Sequence, residues 1–113
     1  DTLHYFILIA PKGGFSVNKG KNNVADFNSV NFSDLKLKVS NTFLNTSDQM
    51  IIVKSFSNSK KALDYFLAFK VNNGSIKSYR KEKFFVVTPQ NLKELYLEKN
   101  TDNYLKFFKE FYQ

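Results

Sequence analysis

Residues 4–10, HYFILIA, are apolar at nearly every position and are stopped by Pro11 and the Gly13-Gly14 pair. A strand with one wet face alternates apolar and polar side chains; a short β-branched and aromatic run without alternation reads as a strand buried on both faces. Residues 50–56, MIIVKSF, repeat the pattern. A chain with two such strands needs cover on both sides of the middle of its sheet, from its own helices or from a partner.

The elements around these strands can be read in order. Residues 18–31 carry Val24, Phe27 and Val30 at roughly helical spacing, with Ser16 or Asn18 placed to cap. Leu35, Leu37, Val39 and Phe43 alternate with Lys36, Lys38, Ser40 and Thr42, a half-buried strand. The short polar turn 45–48 (NTSD) joins it to residues 50–56 as a hairpin. Asn58 or Ser59 then caps a helix whose Ala62, Tyr65, Phe66 and Phe69 fall on one stripe. Residues 84–88 (FFVVT) form a fourth strand closed by Pro89. Asn91 is placed to cap a further helix, and Thr101-Asp102 to cap a last one with Leu105, Phe108, Phe111 and Tyr112 along one side.

The order β-α-β-β-α-β, with right-handed crossovers and a central hairpin, predicts an α+β fold: a ferredoxin-like antiparallel sheet in the order 4-1-3-2, two helices on one face and an additional C-terminal helix. The 113 residues suit a single domain, and thirteen Phe and six Tyr with no Trp make Phe the main core filler. The chain opens on Asp1 without a Met, as expected of an excised part of a longer protein.

The chemistry-bearing inventory is thin. Without cysteine there are no disulfides or thiolate metal sites. His4 is the one histidine and has no partnered acid nearby in sequence, so it reads as structural or solvent-facing. The acids fall on helix faces and caps. Pro11-Lys12-Gly13-Gly14 lacks the frame of a phosphate loop. No cofactor, metal or catalytic residue is expected, and no apolar run is long enough to span a membrane.

Recognition is the remaining class. The formal charge of +7 favours acidic partners. Lys36, Lys38 and Lys54, with Phe56 beside them, are expected on the sheet face away from the first two helices; Lys77, Arg80 and Lys81 form a second basic cluster. Such a face suits an acidic peptide, a glycan or a nucleic-acid strand, and the same lysines also discourage edge-to-edge aggregation. RNA is disfavoured, because the third strand lacks the glycine and stacking aromatics of an RNA-recognition module.

Five segments together resemble a known family: HYFILIAP, VADFNSVNFSDLKLKVSNTFLN, QMIIVKSFSNSKKALDYFLAF, KFFVVTPQNLKELYLEKN and YLKFFKEFY. They are similar to the C-terminal domain of large tetratricopeptide-repeat lipoproteins of Bacteroidota linked to gliding motility and type IX secretion. The resemblance implies a periplasmic or outer-membrane-associated scaffold, held by a lipoprotein anchor elsewhere in the full-length protein and docked to protein partners. The topology also resembles the SPOR module, which implies peptidoglycan binding as the alternative.

Overall fold

The computed structural model describes residues 2–11, 16–72 and 83–113. Four strands, β1 (His4–Pro11), β2 (Lys38–Phe43), β3 (Asp48–Phe56) and β4 (Phe84–Val87), form one antiparallel sheet in the order β2-β3-β1-β4. This is the ferredoxin-like order expected from the sequence. The doubly apolar strands β1 and β3 are the inner pair, and Phe6, Ile7, Leu8, Ile51 and Val53 have no exposed surface.

Helices α1 (Val17–Asn31) and α2 (Ser59–Val71) cover one face, α1 over β2 and β3, α2 over β1 and β4. The Ser16 hydroxyl caps α1 at the Lys19 N–H, and the Asn58 side-chain Oδ1 caps α2 at the Lys61 N–H. The Ala62, Tyr65, Phe66 and Phe69 stripe is buried as its spacing requires. Phe6 meets the rings of Tyr65 and Phe69 at 4.9 and 5.0 Å, while Phe27 meets the same two at 5.4 and 5.6 Å. The expected Val24–Phe27–Val30 stripe is only partly right: Val30 is 81% exposed and Asn28 is buried instead. At 3.6 residues per turn, Val30 lies roughly 240° around from Val24, whereas Asn28 lies about 40° away.

Helices α3 (Pro89–Glu98) and α4 (Asp102–Tyr112) complete the cover. Thr88, not Asn91, caps α3: its hydroxyl accepts the Asn91 N–H and Pro89 occupies the first turn. Thr101 precedes α4 but makes no side-chain capping bond; it is buried. Phe85 points away from Phe84 and meets Tyr104 at 5.1 Å. Phe108 lies 5.1 Å from Phe66 of α2 and 6.5 Å from Phe85, so α4 runs along the β4 edge and joins both sides of the sheet. The Tyr104 hydroxyl donates to the Val86 carbonyl at 2.6 Å. Asn45 in the hairpin turn donates to the Lys99 carbonyl at 2.7 Å, tying the far end of α3 to that turn. The middle of both sheet faces is therefore core: Ile7, Ile9, Met50, Ile52, Phe85 and Val87 are all buried.

Candidate binding site

Two of the expected basic residues meet. Lys38 and Lys54 are direct partners across the β2–β3 ladder, and both are exposed. Like charges facing each other on a sheet repel. The Lys54 ammonium also sits 5.1 Å above the Tyr5 ring, a cation–π contact. Alternation places Tyr5, Lys38 and Lys54 on the face away from α1 and α2, as expected.

Lys36 and Phe56 do not join them. Residues Ser33–Leu35 form a 3-10 turn, and Lys36 closes it in the left-handed conformation at φ 50°, outside the strand. The alternation of Leu35 and Leu37 mimicked a strand, but the chain turns there before β2 begins. Lys36 faces a groove beside α1 instead. Phe56 is 1% exposed and stands 5.2 Å from the Tyr65 ring, on the α2 side. The register shifts between His4 and Phe6, so that Lys54 and Ser55 together oppose Tyr5, and this bulge moves Phe56 to the other face. Lys77, Arg80 and Lys81, like Lys12, Gly13 and Gly14, lie outside the described residues.

β2 ends the sheet, so one side of its backbone has no strand partner among the described residues. Most of its side chains are exposed, Phe43 to 67%. Beside it, between α1 and the segment entering the strand, lies a groove of about 410 Å3 walled by Asn28, Ser29, Phe32, Lys36, Leu37 and Val39. Asn28 is the residue that sequence reasoning missed. Its Oδ1 accepts the Tyr65 hydroxyl at 2.5 Å, while its Nδ2 is buried with no hydrogen-bond partner among the described residues. Burial raises the Tyr65 phenol far above its usual range, and the bond to Asn28 offsets only part of that. One polar residue in a polar helix carries no sequence signal that it will turn inward; only its spacing from Val24 does.

At the opposite end of the sheet, His4 is buried and both ring nitrogens are engaged. Nδ1 donates to the Thr2 carbonyl at 2.8 Å, and Nε2 is hydrogen-bonded to the Tyr112 hydroxyl at 2.8 Å. The adjoining hollow of about 610 Å3 is walled partly by Phe107 and Phe111, whose rings are 4.9 Å apart. Among the described residues no group of three or more His, Asp or Glu is placed to hold a metal ion, and no helix is long and apolar enough to cross a membrane.

No protein-family model, curated protein or solved structure matches this chain.

Proposed function

We propose that this chain is a non-enzymatic docking domain that takes up an extended, acidic segment of a protein partner along the outer side of β2. The observation that carries the reading is the β2 edge, unpaired among the described residues, with an opposed lysine pair on one face and a groove on the other. Unpaired strand N–H and C=O groups are a template for a further strand. Side chains of an added strand alternate between faces, so one set would lie over Lys38 and Lys54 and the other would enter the groove. The formal charge of +7 would speed encounter with an acidic segment and make binding salt-sensitive. On the resemblance to the Bacteroidota lipoprotein domains, we place the partner among cell-envelope components of secretion or gliding, and the domain in the periplasm or at the outer membrane.

Selection of a displayed random dodecapeptide library on the immobilised domain tests this. Enriched peptides should be acidic, and their binding should slow amide hydrogen exchange at residues 38–43. Enrichment without acidic residues, or protection that spares β2, would overturn the reading. The opposed Lys38–Lys54 pair also favours a second reading, binding of anionic peptidoglycan. Sedimentation with purified cell-wall sacculi that is lost on changing both lysines to Glu would support it over the first.

A further inference from the structure

We infer that the hollow where β2 enters the hairpin turn anchors an aromatic side chain of the docked segment between Phe43 and Tyr96, with Lys99 pairing with a carboxylate beside that ring; this rests on the docking reading above. The hollow, of about 730 Å3, is walled by Phe43 and Leu44 at the end of the strand, Thr46 in the turn, and Tyr96 and Lys99 at the end of α3. It continues the edge of β2, so a strand added there runs into it. Phe43 is largely exposed and Tyr96 is 43% exposed, and among the described residues neither meets another aromatic ring. Elsewhere the rings of this chain pair with one another in the core, as Phe6 does with Tyr65 and Phe69. Two water-exposed rings that share a hollow without touching leave a slot for a third, which would gain both burial and ring–ring contact.

The wall is held in place before a ligand arrives. Lys99 ends α3 in the left-handed conformation at φ 62°, its N–H bonded to the Leu95 carbonyl and its carbonyl to the Asn45 side chain. Leu44 is buried at the base. A subsite fixed in advance loses little freedom on binding. Charge then narrows the occupant. The Lys99 ammonium lies 5.5 Å from the centre of the Tyr96 ring, and the ion pairs among the described residues, Lys60–Asp64 and Lys83–Asp102, leave it out. An aromatic residue beside an acid therefore fits the hollow better than an aromatic residue beside a base. Antiparallel pairing is the more stable kind, and a segment added that way starts at the hollow and runs toward Lys38 and Lys54. Its aromatic anchor then precedes the acids that lie over the lysine pair.

Dodecapeptides enriched on the immobilised domain test the assignment. They should carry an aromatic residue on the N-terminal side of their acids. Changing it to Ala should cost roughly ten-fold in affinity on the wild-type domain and far less on Phe43→Thr or Tyr96→Gln, exposed substitutions that keep strand and helix preference. Changing the acid beside it to its amide should weaken binding to the wild-type domain but not to Lys99→Asn, which removes the charge and tolerates the left-handed backbone. Equal losses on the two domains would remove Lys99 from the subsite. The chain has no Trp, so a Trp placed at the anchor position of the peptide is the sole source of indole emission. That emission should move to shorter wavelength when the wild-type domain is added, and a Trp at the far end of the peptide should not respond. Acidic peptides that protect β2 without an aromatic coupled to Phe43 or Tyr96, or without the emission shift, overturn the subsite and leave the docking reading standing. If the enriched peptides lack acids or spare β2, both fall.

Discussion

β4 and β2 both end the same sheet, and their outer sides meet opposite surroundings. Along β4, helix α4 lays Tyr104 and Phe108 against the strand, the tyrosine hydroxyl bonds to the Val86 carbonyl, and Phe108 links Phe85 to Phe66 across the edge. Along β2 no helix among the described residues does this; the strand shows lysine, serine, asparagine and threonine to water, and a phenylalanine besides. Exposed strand edges invite pairing, and charged side chains limit it to suitable partners. The contrast teaches that the chain spends its last aromatic helix on closing one edge, and leaves the other open but guarded by cations.

The sharpest way to break this contrast is Phe108→Ala. A fully buried aromatic that bridges two layers should cost about 3–5 kcal/mol on removal, most of the stability of a domain this size. Urea unfolding would show it; a midpoint near wild type would mean that α4 is an appendage and not a seal. Alkaline pH probes the same side. Burial raises the phenols of Tyr65, Tyr104 and Tyr112, with Tyr104 also held up by its neighbour Tyr112. Below about pH 10 folded and unfolded chains both keep these protons, so stability does not depend on them. Above it the unfolded chain releases protons that the folded one retains, and stability should fall by about 1.4 kcal/mol per pH unit for the buried Tyr65 phenol and by less for the more exposed Tyr104 and Tyr112. Urea midpoints that stay flat from pH 9 to 11.5 would contradict this.

Tyr104→Phe is milder. Losing the bond to Val86 should cost about 1–2 kcal/mol and flatten part of the alkaline decline, read from the same titrations. The smallest effect belongs to the open edge. Lys38→Glu replaces a repelling pair with an attractive one and should stabilise by about 0.2–1 kcal/mol, while weakening uptake of acidic peptides. Thermal melts and peptide anisotropy on one variant would then move in opposite directions. If stability falls instead, the lysine pair is not a strain held for binding.

The architecture was legible because its signals are local or topological. Two strands without alternation had to lie inside, the four-residue link between β2 and β3 had to be a hairpin, and the α2 stripe keeps strict helical spacing. Long-range facts were not legible. Nothing in FFVVT or in YLKFFKEFY says that the helix would close the strand's outer side rather than lie flat across the sheet. At the site, the opposed lysines followed from hairpin register. Phe56 was misplaced because a bulge shifts side chains from one face to the other without any glycine or proline to mark it. Lys36 was misplaced because apolar alternation at Leu35 and Leu37 looks the same in a strand and in a turn leading to one. Asn28 escaped notice because an inward amide is defined by what surrounds it.

The hydrogen bond between His4 and Tyr112 spans 108 residues of chain. It brings the start of the central strand and the end of the last helix to one corner of the molecule. A short peptide joining the two ends should therefore permit circular permutation with the new ends in an exposed turn. For the same reason, the domain could sit within the loop of a host protein as readily as at its tail.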